Sequence, residues 1–319
     1  MKKFWVLGAV VVIVLGALSV FGAYPERPIT IICPWAAGGG TDRIARALAV
    51  ELSELLKVPV GVENRTGGGG AVGHMAGARA APDGYTLTIV TLEIATMHWL
   101  GLTDITYADF EPVALINADY AAINVRIDAP WETYIQLHTY ICKNPGKLMA
   151  SGTAIGGIWD IARAGWLRAA GFDINDVPWV PSLGAAPALQ ELIAGGVDIV
   201  TCSLAEAMPL IEAGQVKCLA FMGPQRHPAY PEIPTLQDLG IDWVCGTWRG
   251  IAVPKGTSPE IVKVLEEAIK KAVQSPRFVE FMEKSGFGIQ FLPANEFGLF
   301  MKEQDATLGE LLKLLGLAK

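Results

Sequence analysis

Short β-branched apolar runs alternate along this chain with small-residue loops and with stretches whose apolar positions recur at helical spacing. Ile29-Thr30-Ile31-Ile32-Cys33, bounded by Pro28 and Pro34, reads as a buried strand. The loop Ala36-Ala37-Gly38-Gly39-Gly40-Thr41-Asp42 follows, then Ile44, Ala47, Leu48, Leu52, Leu55 and Leu56 on one helical stripe, with Arg43, Arg46, Glu51 and Glu54 off it. The unit repeats at once: a strand over 58–62, the loop Gly67-Gly68-Gly69-Gly70, a helix over 71–81 ended by Pro82-Asp83-Gly84, and a third strand over 85–91. The rhythm returns mid-chain. Residues 147–150 lead through 151–157 into a helix over 158–170, and 177–180 lead through 181–186 into a helix ending near Gly195-Gly196 and a strand over 197–202. Alternating units of this kind predict an α/β protein with a largely parallel sheet, in two lobes whose loops lie at the carboxyl ends of the strands, where open α/β sheets bind ligands. Ser258-Pro259-Glu260 supplies an N-cap, an N1 proline and an acidic first turn for a structural helix in the tail.

The uncharged run from Phe4 to Phe21 behind Lys2 and Lys3 has the layout of an export signal over 1–23, either cleaved or retained as an N-terminal anchor. A chain of 319 residues with 51% hydrophobic and 18% charged residues has room for about two domains and is no disordered chain. The net charge of −7, with no further basic run, excludes an electrostatic footprint for nucleic acid. The five cysteines are widely spaced with no C-x-x-C pair, so no metal site is expected, and Cys33, Cys202 and Cys218 fall in apolar strand-like stretches as core residues.

The loop Gly38-Gly39-Gly40-Thr41-Asp42 fits neither nucleotide motif: no Lys closes it as in a P-loop, and Arg43 stands where a dinucleotide fingerprint needs glycine. What remains is backbone N–H groups at a helix N-terminus beside a Thr hydroxyl, a place suited to a carboxylate, or else a tight turn that Thr41 or Asp42 merely caps. No H-E-x-x-H or G-x-S-x-G is present, the four histidines are scattered, and the acidic residues read as solvated helix faces. His74 alone sits just beyond a glycine loop. Trp35, Trp159 and Trp179 adjoin three of the loops as pocket walls or as core.

Four motifs in order, Tyr24-Pro25-Glu26-Arg27-Pro28-Ile29, Pro34-Trp35-Ala36-Ala37-Gly38-Gly39-Gly40-Thr41-Asp42, Val62-Glu63-Asn64-Arg65-Thr66-Gly67-Gly68-Gly69-Gly70 and Ala80-Ala81-Pro82-Asp83-Gly84-Tyr85-Thr86-Leu87, resemble the extracytoplasmic solute receptors of tripartite tricarboxylate transporters, the Bug or TctC-type family. The likeness continues through Pro145-Gly146-Lys147-Leu148, 192–198 and 213–217. The resemblance implies a two-lobed periplasmic binding fold (type II-like) with the ligand in the cleft between lobes, and delivery to a large and a small membrane subunit. It places lobe 1 at 24–124 plus 248–319 and lobe 2 at 125–247. Carried over by position, Ala37, Gly38, Gly39, Gly40 and Thr41, with Asp42 beside them, hold one carboxylate, and Gly69, Gly70, Ala71 and Gly73 complete that site. Ser151, Thr153 and Ser182 serve the far end of the ligand.

Three departures bear on specificity: Ala71 stands where members often have Asn, Trp35 where they often have Phe, and Gly156-Gly157-Ile158-Trp159-Asp160 where G-S-x-x-H is frequent. An ionised Asp160 near the pocket would favour a ligand whose far end is neutral or cationic, such as an amino acid; otherwise it is an ordinary helix-face carboxylate. The expectation is a monomeric, non-enzymatic binding protein without cofactor or metal, for a small organic anion: a di- or tricarboxylate, or an amino acid. An exported α/β enzyme for a carboxylated substrate, and a sensory receptor of the same fold, are the rival readings.

Overall fold

The computed structural model describes residues 24–318, so the expected export segment over 1–23 lies outside the described residues. In chain order the elements are β1 (Ile29–Cys33), α1 (Gly40–Leu56), β2 (Val60–Asn64), α2 (Ala71–Ala78), β3 (Thr86–Thr91), β4 (Phe110–Tyr120), β5 (Ala122–Arg126), α3 (Tyr134–Lys143), β6 (Ala150–Ser151), α4 (Ile158–Ala169), β7 (Trp179–Val180), α5 (Ala185–Ala194), β8 (Ile199–Val200), α6 (Leu204–Glu212), β9 (Val216–Phe221), β10 (Gly246–Pro254), α7 (Pro259–Val273), α8 (Pro276–Lys284), β11 (Ile289–Pro293) and α9 (Ala294–Leu315). They form two sheets, a six-stranded one in the order β11-β4-β10-β3-β1-β2 and a five-stranded one in the order β7-β6-β8-β5-β9. Each sheet with its helices is one lobe.

The sheets are mixed, not largely parallel as the alternating units suggest. β1, β2 and β3 run parallel, as do β6, β7 and β8, but β10 is antiparallel to both β3 and β4, and β5 is antiparallel to β8 and β9. The cause is the path of the chain. It leaves the first sheet along the long strand β4, enters the second as β5 with only Ala121 between, and returns through β9 and residues 222–245 to β10, which lies back against β4. The two passages cross between the lobes in opposite senses, which sets β10 antiparallel to β4 and β9 antiparallel to β5, whereas the strand-loop-helix units keep their neighbours parallel.

Burial follows the apolar stripes. Ile44, Leu48 and Leu52 of α1 pack with Ile29 and Ile31 of β1 and with Leu265 and Ile269 of α7, so the two helices cover one face of the first sheet. In the second lobe Trp166 of α4 is fully buried and its indole N–H donates to the Tyr134 hydroxyl at 2.9 Å, which satisfies the polar end of each ring inside the core. Cys33 and Cys202 are buried, as their apolar surroundings predict, and burial pushes the Cys33 thiol up to about 12; Cys218 is half-buried. With these packed layers in place, the segments leaving the carboxyl ends of β1, β3, β6 and β7 meet between the lobes.

Candidate functional site

A cavity between the lobes is lined by Trp35, Gly39, Gly40 and Thr41 after β1, Thr91 and Glu93 after β3, Thr153, Ile158 and Trp159 between β6 and α4, Gly184, Ala185 and Ala186 at α5, Glu206 of α6, and Thr247 and Arg249 of β10. It is tight: measured at the centre of a water-sized sphere, its volume is about 20 Å3, enough for one such group. A second hollow, about 250 Å3 by the same measure, adjoins it and is lined by Gly67, Gly68, Gly69, Gly70, Ala154, Pro181, Ser182 and Leu183. Trp35 borders both and is the partition between them.

Three helices begin at the cavity, and all three begin without a side-chain cap of their own: α1 from Gly39, α4 from Gly157 and α5 from Gly184. The first turn of a helix leaves backbone N–H groups unpaired and concentrates positive partial charge there. Two of the three receive a carboxylate from the opposite lobe. Glu206 of the second lobe accepts from the Gly40 N–H of α1 at 3.0 Å, and Glu93 of the first lobe accepts from the Ile158 N–H of α4 at 3.1 Å. Gly40 has to be glycine for this: a Cβ there would stand 2.6 Å from the Glu206 carboxylate and 2.9 Å from the Arg249 guanidinium. At α5, by contrast, among the described residues no protein acceptor meets the N–H of Ala185 or Ala186.

Both carboxylates are held from behind. The Thr91 hydroxyl donates to Glu93 at 2.5 Å and itself accepts from the Trp35 indole at 3.2 Å, which ties the ring that divides the two spaces to the carboxylate that caps α4. Arg249, 2% exposed, donates to the Thr41 hydroxyl at 2.9 Å, to Asn117 at 2.6 Å and to Asp119 at 2.8 Å, and reaches Glu206 at 3.4 Å. Burial pushes the carboxyls of Glu93, Glu206 and Asp119 above the usual carboxylate range, with the Arg249 charge pulling each partly back. One guanidinium thus pairs with two buried carboxyl groups, Asp119 and Glu206, of which Glu206 lines the cavity.

Of the residues expected from sequence, Trp35, Gly39, Gly40, Thr41, Thr153 and Trp159 line the cavity, and Gly69, Gly70 and Ser182 line the adjoining hollow. The others point elsewhere. Ala37 and Gly38 are exposed outside the cavity, and the Gly38 N–H is spent on Asp42 at 2.9 Å. Asp42 is buried under its own loop and pairs with Arg46 and Asn64. Ala71 and Gly73 are packing positions; a Cβ on Gly73 would sit 2.6 Å from the Pro34 backbone. His74 is wholly buried, with Nδ1 at 2.8 Å from the Gly70 carbonyl and Nε2 accepting from the Thr91 N–H at 3.2 Å, so it braces two loops and faces no ligand. The Ser151 hydroxyl donates to the Val180 carbonyl at 2.7 Å. Asp160 is neither a pocket charge nor a solvated face: at 1% exposure it pairs with Arg163 at 2.6 Å and accepts from the Gly156 N–H.

Sequence reasoning missed Glu93, Glu206 and Arg249. A signal existed, because Arg249 lies in the apolar strand Gly246–Pro254 and Glu93 in the apolar run 89–95, and a charge in such a run needs a partner.

Residues 44–317 match the model of the tripartite tricarboxylate transporter family receptor. Protein BugT of Bordetella pertussis is 31% identical over 268 residues, covering 82% of this chain and 81% of that one. Among solved structures, that of the periplasmic binding protein BugD superposes with a TM-score of 0.87 at 31% identity, covering 93% of this chain and 100% of that one. MatC of Rhodopseudomonas palustris with bound malate superposes with a TM-score of 0.83 at 26% identity, covering 91% and 100%.

Proposed function

Since the chain belongs to the tripartite tricarboxylate transporter receptor family, we propose that it is an extracytoplasmic solute-binding protein that captures a small carboxylate-containing solute between its lobes and delivers it to the large and small membrane subunits of a transporter. The observation that carries this reading is the convergence of three helix N-termini on one cavity between two sheets, at the carboxyl ends of the strands. A site walled by residues of both lobes admits its ligand by rotation of one lobe on the other and recloses over it, which presents a loaded receptor to a partner. Malate in the related MatC supports a carboxylate as the shared feature, and the periplasmic BugD supports an extracytoplasmic place of work, with 1–23 as the export segment. Among the described residues, the one hydroxyl at the cavity that meets a carboxylate, Thr91 on Glu93, is also bound by the Trp35 indole, and His74 is committed to Gly70 and Thr91, which favours binding over catalysis.

Titration calorimetry of the purified chain against mono-, di- and tricarboxylates and amino acids tests the reading. Saturable one-to-one binding is expected, with the solute recovered unchanged. No binding across the panel, or recovery of altered solute, overturns it. Uptake of the bound solute into vesicles carrying the membrane subunits, dependent on added receptor, tests the transport step.

A further inference from the structure

We infer that Glu206 and Glu93 are the specificity-determining residues of this receptor, and that they select a zwitterionic solute, with a cationic amine toward the two glutamates and a single carboxylate toward the start of α5, against dicarboxylates. The inference deepens the solute-binding reading above and rests on it. Two helix N-termini that would otherwise receive a ligand's carboxylates are already taken by the chain's own, Glu206 on Gly40 and Glu93 on Ile158. Arg249 is the one cation lining the cavity among the described residues, and it is committed to Thr41, Asn117, Asp119 and Glu206. The guanidinium of Arg43 lies over the Phe287 ring and donates to Ser285, and it is not part of the cavity wall.

A second carboxylate brought into this space would meet two buried carboxyl groups with no free cation, and like charges in low dielectric are costly. An ammonium group meets the opposite: carboxylate oxygens of Glu206 and Glu93 as acceptors on the cavity wall. One anion site is left. Ala185 and Ala186 line the same cavity and their N–H groups have no protein acceptor, and Thr153, another lining residue, 3% exposed, has a hydroxyl with no hydrogen-bond partner. An unpaired buried hydroxyl and an open helix start in one cavity leave donors for a single carboxylate. The body of the solute extends past Trp35 into the adjoining hollow.

The test is calorimetry on the full chain with matched pairs in which an ammonium replaces one carboxylate: L-alanine against methylmalonate, 4-aminobutyrate against succinate, 5-aminovalerate against glutarate, together with the panel of the preceding section. The tightest solute is expected to carry one carboxylate and one cationic group, at least ten-fold tighter than its dicarboxylate partner. Glu206→Gln and Glu93→Gln should weaken that amino acid ten-fold or more while narrowing the gap to the dicarboxylate. If Glu206 were only a removable plug, Glu206→Gln would leave or raise amino acid affinity, which overturns the inference. A dicarboxylate, or any solute without a cationic group, as the tightest ligand of the wild type overturns it alone and leaves the solute-binding reading standing; the wild-type ranking needs no variant to fold. Binding of nothing at all removes the solute-binding reading first and this inference with it.

Discussion

Three helices away from the cleft and three at it start differently. Away from the cleft, α3, α7 and α8 are capped by their own Thr133, Ser258 and Ser275, whose side chains accept from backbone N–H groups three residues on. At the cleft, α1, α4 and α5 start from glycines with no cap of their own, and α1 and α4 borrow Glu206 and Glu93 across the gap between lobes. A local cap stabilises its own helix and is indifferent to what the lobes do. A borrowed cap exists only while the lobes face each other, so the same backbone chemistry that ends a helix at the periphery links the lobes at the cleft and sets the charge of the space between them.

The largest expected effect comes from removing the cation that pairs with one of the borrowed caps, Glu206. Arg249→Met leaves Glu206 and Asp119 buried without their partner and should cost about 3–5 kcal/mol in urea denaturation. Adding Glu206→Gln and Asp119→Asn to it should recover part of that loss; an unchanged midpoint in Arg249→Met would mean that the network carries no weight.

The next effect is a pH dependence at the glycine start of α2, which is braced by His74. Burial holds the imidazole down to about 4, below its ordinary 6.5. The folded chain therefore favours the neutral ring, and the stability this gives is complete above pH 6.5 and is lost as pH falls toward 4. About 2 kcal/mol should go between pH 7 and pH 5. His74→Gln should flatten that slope, measured by thermal denaturation across the interval; an equal slope in the variant would place the titrating group elsewhere. Smaller still is a peripheral cap. Ser258→Ala should cost about 1 kcal/mol and leave solute affinity unchanged, since its partner is the Ile261 N–H of its own helix. A change in affinity there would erase the distinction between the two kinds of helix start.

The peripheral caps were readable in the chain, because a local cap is a matter of spacing: Ser258-Pro259-Glu260 announces α7 in three residues. So were the glycine starts of α1 and α4. The borrowed caps were not, since Gly40 and Glu206 lie 166 positions apart and Ile158 and Glu93 lie 65 apart, and no spacing rule spans such distances. Glu206 therefore reads as one more carboxylate in a helical first turn. The same limit misplaced His74 and Asp160. Each follows a glycine loop, which makes it look like a ligand contact, but the side chain turns back onto the loop's own backbone at Gly70 and Gly156. The mixed sheets escaped for the same reason, because antiparallel pairing of β10 with β4 is set by the return of the chain from the second lobe and not by any local pattern.

Amide hydrogen exchange at single residues tests the arrangement of borrowed and open helix starts most directly. Without solute, the N–H groups of Gly40 and Ile158 should exchange slowly, held by Glu206 and Glu93, while those of Ala185 and Ala186 exchange fast; saturation with the tightest solute from calorimetry should slow Ala185 and Ala186 and leave Gly40 and Ile158 slow. Fast exchange at Gly40 and Ile158 in the free protein, or no change at Ala185 and Ala186 on saturation, would contradict the account.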